Sequence, residues 1–373
     1  MRILQISSAK TFGGGERHVV DLCRGLQSRG HDVFAALRPT SQWQGRLDFL
    51  PPERLLRVSI RNSIGVFSAI KMAEFAREHD IDVIHAHVAR DYIPASIACM
   101  AARDARFVLT RHVMFPLKPF NRFALKNLSM AIGVSEAVGG ELRRIFPYDK
   151  VRVIPNGLDT QAMDAEETAR LRSEFRSMHS IPGDAQVVGT LGELKELKGQ
   201  REFVLAAAEI VKKIPNCRFV IVGLDNTMDK RFRRDLKRLA QVSGIDDRIL
   251  WLDWLEDTAP FYAAIDVFVS PSHSESFGLA ILEAMGNGKA IVSTSTDGAK
   301  QLLNDCGALV GVNDVVGMAD AIARTLTDPE LLAASGRSAR RVASENYSLD
   351  RMIIATEQLY AELVSDRIAS PLK

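Results

Sequence analysis

The feature that most restricts how this chain can fold is a rhythm in which short apolar runs, each followed by an amphipathic stretch, recur along almost all of its length. It opens with Ile3 to Ser7, then a stretch carrying Val19, Leu22, Cys23 and Leu26 at helical spacing, then Val33 to Leu37. Residues three and four apart share one side of a helix, whereas a continuous apolar run suits a strand covered on both faces. Further strands are expected at Asp82 to His87, Arg106 to His112 and Met130 to Val134, with helices such as Val66 to Glu78 and Glu136 to Ile145 between them. Strands alternating with helices predict a parallel sheet with a helical layer on each face.

After Val151 to Pro155 the rhythm lapses into a polar stretch. It resumes with Val187 to Leu191, Cys217 to Gly223, Ile249 to Asp253, Val267 to Ser270 and Ala290 to Ser293. A chain of 373 residues exceeds what one core serves, so two doubly wound α/β domains in tandem are expected. We place them at residues 1–165 and 166–345, with 346–373 as a closing helical segment. The tail from Asp314 to Leu363 reads as mostly helical, with Tyr347 and Tyr360 as packing anchors.

Composition narrows the class. With 46% hydrophobic and 25% charged residues and a formal charge of +2, the chain reads as an ordinary globular protein. Residues 1–165 hold 23 Lys and Arg against 16 Asp and Glu, and the remainder 25 against 30, so the first domain is the one expected to approach anionic matter. A near-neutral whole with no recognised motif argues against nucleic acid as a partner. The apolar run at Met1 to Ile6 is too short for a signal-peptide core, and no stretch reaches the roughly 20 apolar residues of a membrane span. Cys23, Cys99, Cys217 and Cys306 lie far apart, which suits a reducing cytoplasm better than a disulfide framework or zinc ribbon.

Open parallel sheets bind ligands at the carboxyl ends of their strands. Four such places carry unusual residues. Gly13-Gly14-Gly15-Glu16 after the first strand reads either as a phosphate-approaching turn or as a flexible loop. At the ends of two further strands stand His85 and His87, read as structural, and His112, read as functional. The H-x-H spacing lacks a carboxylate or cysteine companion, so no metal is expected there. The loop Gly192 to Gly199, with Glu193, Lys195 and Lys198, reads as a diphosphate clamp or as a solvated charge run. The last place is Pro271 to Ala284, where a helix is expected to start near Phe277. Its amides, through Gly278 and Leu279 to Ala280, can receive an anion, while Glu275 and Glu283 are either hydroxyl acceptors or a capping acid and a surface acid.

The spacing of Glu275 and Glu283, within P-S-x-x-E-S-F-G-L-A-I-L-E-A, resembles the E-x7-E signature of the retaining family-4 glycosyltransferases. Gly13 to Glu16, the segment Val153 to Asp159 with Asn156, and Lys198-Gly199 fall in the family's order. The resemblance covers nearly the whole chain. It implies two Rossmann-like domains facing a cleft, the GT-B fold, with 1–165 binding the acceptor, 166–345 the nucleotide-sugar donor, and the closing helix returning to the first domain. It implies that Gly14 and Gly15 approach the donor diphosphate or the reacting centre. His112 contacts the transferred sugar, Glu275 its hydroxyls and Glu283 the ribose, while Lys198 and the amides of Phe277, Gly278 and Leu279 hold the phosphates. No cofactor or metal is implied. Two positions depart from the family pattern. Glu193 stands where Arg is frequent, so that Lys195 or Arg111 compensates, or Glu193 turns away and pairs with a base, or donor binding is weak, and Gln301 stands where a glutamate that accepts donor hydroxyls is frequent.

The resulting expectation is a retaining transfer from a nucleotide-diphosphate-sugar to a glycan or lipid-linked acceptor, in cell-surface polysaccharide or lipopolysaccharide synthesis. The alternatives are a nucleotide-sugar epimerase or phosphorylase of the same fold, or a non-catalytic nucleotide-sugar-binding protein. A cytoplasmic location is expected. From Arg111 to Lys126, Phe residues interleave with Arg and Lys. That pattern fits either contact with the inner face of an anionic membrane or buried rings beneath solvated bases.

Overall fold

The computed structural model describes residues 1–60, 65–102, 105–159 and 164–369. The chain divides into two units, residues 1–157 with the segment from Leu349 onward, and residues 158–348. Residues 370–373 of the expected closing segment lie outside the described residues.

The first unit holds a seven-stranded parallel sheet. Its strands are β1 (Arg2–Ser7), β2 (Asp32–Leu37), β3 (Leu55–Arg57), β4 (Val83–Ala86), β5 (Arg106–Arg111), β6 (Leu128–Gly133) and β7 (Val151–Val153), in the order β3-β2-β1-β4-β5-β6-β7. Ile3 on β1 lies between Val33 on β2 and Val83 on β4, so the strand order reverses at β1. Those residues share a core with Leu22, Cys23 and Leu26 of the helix Gly14–Ser28 and with Met352, Ile353, Leu359 and Tyr360 of the helix Leu349–Ala369. The closing helix packs so closely that a Cβ at Gly25 would overlap Ile353.

The second unit repeats the plan with β8 (Gln186–Leu191), β9 (Cys217–Val222), β10 (Ile249–Leu252), β11 (Val267–Ser270), β12 (Ala290–Thr294) and β13 (Ala308–Val310), in the order β10-β9-β8-β11-β12-β13. The order reverses at β8, whose neighbours are β9 and β11. Doubly wound sheets bind ligands outside the carboxyl ends of the strands at such a reversal.

The units part at Gly157 and Leu158, earlier than the expected 165/166. The helix Ala165–Met178 belongs to the second unit through Arg172 and Arg176. These donate to the Asp266 carboxylate at 2.7 and 3.1 Å, and Arg176 adds the Ala264 carbonyl. Leu158 likewise donates to the Tyr347 carbonyl. No helix among the described residues is long and apolar enough to cross a membrane. All four cysteines are buried free thiols, and burial pushes Cys99 and Cys217 up to about 12, which leaves them unreactive.

Candidate functional site

The first unit gathers its unusual residues at the ends of β1, β4 and β5. Gly13 is the extended cap of the first helix, so Gly14 and Gly15 are its opening residues rather than part of a loose loop. Amides there have no partner inside the helix. Glu16 accepts from the Gly13 amide, and burial, opposed by that bond, raises its carboxyl above the usual range. A Cβ at Gly15 would stand 3.6 Å from the His112 ring, so the helix opening and His112 share one spot.

Hydrogen bonds fix the protons of the imidazoles. Gln5 Nε2 donates to the Tyr360 hydroxyl at 3.3 Å, which orients Gln5 Oε1 to accept from His87 Nε2 at 2.7 Å. His87 Nδ1 is then a lone-pair nitrogen and accepts from His112 Nε2 at 3.4 Å, so His112 carries its proton on Nε2. Tyr360 in turn donates to His85 Nδ1, and His85 Nε2 donates to Thr110 at 2.7 Å. His85 is thereby a structural tie between the closing helix and the sheet. His18, which the sequence did not single out, completes the cluster, with its ring centroid 4.8 Å from His112 and 5.6 Å from His87. Burial first, and neighbouring imidazoles second, hold His85, His87 and His112 well below the ordinary histidine value. Burial takes His18 to about 4, with the Asn156 side chain opposing. All are neutral at physiological pH. Asn156 is buried in this unit beside His18, and Arg111 is anchored here by donating to the Phe115 carbonyl.

In the second unit the two loops after β8 and β11 are packed together. Gly199 has a φ of 65°, and the Pro271 carbonyl fills the space a Cβ would need, while the His273 amide donates to Leu197. This brings Lys198 Nζ to 2.6 Å from Glu275 Oε1, and Ser272 Oγ donates to the same oxygen at 2.7 Å. Glu193 is not an uncompensated charge. It binds Lys195 at 2.6 Å and Asn226 at 3.0 Å, and although burial works to raise its carboxyl, these two partners hold it below the usual value. Of the compensations weighed from sequence, pairing of Glu193 with Lys195 is the one present.

The helix expected from Phe277 begins two residues later, at Leu279, because Gly278 takes a φ of 97° that carries the chain around the corner. The Phe277 ring is buried against Tyr347, so its backbone is what remains to meet a ligand. Glu275 therefore lies in the turn, outside the helix that carries Glu283. Glu283 is buried rather than a surface acid, and accepts from Tyr262 at 3.1 Å and Thr258 at 3.5 Å. Gly298, whose amide donates to the Glu275 carbonyl at 3.1 Å, opens the helix Asp297–Leu303 that carries Gln301. The Gln301 carbonyl accepts from the Tyr347 hydroxyl.

The outer segment of the first unit exposes its rings. Phe115, Phe120 and Phe123 are 68%, 55% and 77% exposed, interleaved with exposed Lys118, Arg122 and Lys126. Buried rings beneath solvated bases, one of the two sequence expectations, are not what this segment contains.

Two family models match: Glycosyltransferase Family 4 over residues 12–162 and Glycosyl transferases group 1 over residues 185–328. The chain is 27% identical to the lipopolysaccharide core biosynthesis glycosyltransferase LpsE of Rhizobium meliloti, over 94% of this chain and 96% of that one. It is 25% identical to the N-acetyl-alpha-D-glucosaminyl L-malate synthase of Bacillus anthracis, over 97% of each. Among solved structures, Anabaena Alr3699/HepE in complex with UDP superposes with a TM-score of 0.85 at 21% identity, over 97% of this chain and all of that one. The doubly wound sheets, the ordered motifs and both family matches agree: this chain belongs to the family-4 glycosyltransferases, with two Rossmann-like domains of the GT-B type.

Proposed function

We propose that the protein transfers a sugar, with retention of anomeric configuration, from a nucleotide-diphosphate-sugar to a glycan or lipid-linked acceptor of cell-surface polysaccharide or lipopolysaccharide. The observation that carries this reading is Lys198 held against Glu275 at the strand reversal of the second unit, beside the amides that open the helix at Leu279. A lysine and unpaired amides neutralise a departing diphosphate without an ion. Lys198 and the amides of Phe277, Gly278 and Leu279 receive the diphosphate, Glu283 the ribose, and Glu275 the sugar hydroxyls. Gly14, Gly15 and Asn156 line the first unit's share, where His112 contacts the sugar. In the transfer step the acceptor oxygen bonds to the anomeric carbon as the bond to the phosphate oxygen breaks. The acceptor's proton passes to that phosphate oxygen on the same face. Catalysis is then positioning and electrostatic stabilisation. The neighbour solved with UDP supports a nucleotide-sugar donor, and LpsE, a lipopolysaccharide core biosynthesis glycosyltransferase, supports the acceptor class.

The same reading includes peripheral contact with an anionic membrane through Phe115, Phe120 and Phe123 and their neighbouring bases, since exposed rings beside cations suit an anionic interface.

A thermal-shift screen of UDP-, GDP- and ADP-sugars tests the donor, because a ligand bound only by the folded chain raises its stability by mass action. One nucleotide class is expected to stabilise the protein, and Lys198→Ala to remove that shift. Stabilisation by none, or an inverted anomeric centre in the product's NMR spectrum, counts against the proposal. Flotation with anionic vesicles, lost in Phe115→Ser/Phe123→Ser, tests the membrane contact.

A further inference from the structure

We propose that His18, His87 and His112 form a binding site for a transition-metal ion of the zinc class, and that occupancy of this site inhibits sugar transfer. One nitrogen from each ring lies within 4.8 Å of the other two. His87 Nδ1 and His112 Nε2 are 3.4 Å apart, and two nitrogens bound to one tetrahedral zinc at about 2.0–2.1 Å stand about 3.4 Å from each other. Their contact thus has the dimension of one edge of a zinc tetrahedron, and turning the His18 ring inward supplies the third corner.

His18 supplies a second, independent observation. Its side chain is only 6% exposed, and neither ring nitrogen makes a hydrogen bond of good geometry, the Asn156 side chain being a polar neighbour. Leaving a buried polar group unpaired costs about 1–3 kcal/mol, and a metal ion removes that cost. Asn156 Oδ1, also buried, is placed to accept from the outer nitrogen of a metal-bound His18. Gln5 performs the same service for His87, since Gln5 Oε1 holds the Nε2 proton and leaves Nδ1 as the ligand atom. Outer-shell acceptors of this kind orient metal-bound imidazoles.

His112 must move its proton from Nε2 to Nδ1 on binding, which gives up the bond to His87. Partly exposed His112 gives the ion a way in. Three neutral imidazoles with an open fourth position suit zinc, nickel, copper and cobalt, whereas magnesium prefers oxygen ligands. The inhibition half rests on the reading of His112 as a sugar contact, because a metal-bound His112 cannot make that contact. The binding half does not.

Full-length protein stripped of metal is titrated with Zn²⁺, Co²⁺ and Mg²⁺, and followed by calorimetry and by the visible spectrum of the cobalt form. We expect a single high-affinity Zn²⁺ per chain, a tetrahedral cobalt band and no response to Mg²⁺. His18→Asn is expected to weaken zinc binding by more than about 100-fold, as the loss of a ligand should exceed the 10–100-fold typical of outer-shell changes. His87→Gln should do likewise, and serves if His18→Asn melts early. His31→Asn, outside the cluster, should leave binding intact. Unchanged zinc affinity in both folded cluster variants, or no tetrahedral cobalt band, overturns the site. In transfer assays zinc should inhibit, a chelator should restore the rate, and His18→Asn should resist inhibition. Tight zinc binding without inhibition overturns the regulatory half. A chain that transfers no sugar from any donor fails the proposed function, while the cobalt spectrum still decides the site.

Discussion

Four imidazoles share the interior of the first unit, and burial is the first reason why none carries a proton at neutral pH. This has a signed consequence. An unfolded chain protonates its histidines below about 6.5. The folded chain leaves His18 neutral down to about 4. The stabilisation is therefore complete above about 6.5, falls as pH drops through the interval, and levels off below the folded value. His18 alone should account for on the order of 3 kcal/mol across that window. Urea midpoints followed between neutral pH and about 4.5 should decline more steeply in the natural chain than in His18→Asn; parallel slopes would contradict the assignment. Residues such as His112 and Lys198 were legible because they stand at strand and loop ends, where parallel sheets bind ligands. His18 was not, since a histidine one turn inside an amphipathic helix carries no mark of the strand ends it faces. Glu193 was legible as a departure, but Asn226, which helps to hold it, comes from the loop after β9 and has no sequence relation to it.

The pairing of loops after β8 and β11 depends on one left-handed glycine. Any side chain at Gly199 meets the Pro271 carbonyl and also a φ of 65° that costs an ordinary residue about 1–2 kcal/mol. Gly199→Ala should therefore lower the melting temperature of the second unit and weaken donor binding by separating Lys198 from Glu275. A variant that melts earlier yet keeps full donor affinity would show that the two loops need not be in register. Long strands were readable from their apolar runs, down to Val267–Ser270, whose bounds match the expectation. The edge strands β3 and β13 were not, because three residues are too few to display a period. The start of the helix at Leu279 was misplaced for a related reason. Gly278 turns the chain by a dihedral angle, and apolar patterning carries no signal for that.

At the scale of the molecule, the first unit is built from both ends of the chain and the second from the middle. The closing helix Leu349–Ala369 places Met352, Ile353, Leu359 and Tyr360 in the first unit's core, and Tyr360 reaches Gln5 and His85. Losing even two buried side chains of this size costs about 4–10 kcal/mol, comparable with the about 5–15 kcal/mol that keeps a domain folded. A chain ending at Ser348 should thus melt its first unit at or near room temperature, while residues 158–348 alone retain a cooperative transition. Circular dichroism and limited proteolysis of the two fragments read this directly, and an intact first unit in the shortened chain would refute it. The same arrangement sets an order of events during synthesis. The early part of the first unit cannot finish folding until the closing helix, translated after the whole second unit, has joined it. While the second unit is being made the first sheet has an uncovered greasy flank, so the nascent chain needs shelter from chaperones over that interval.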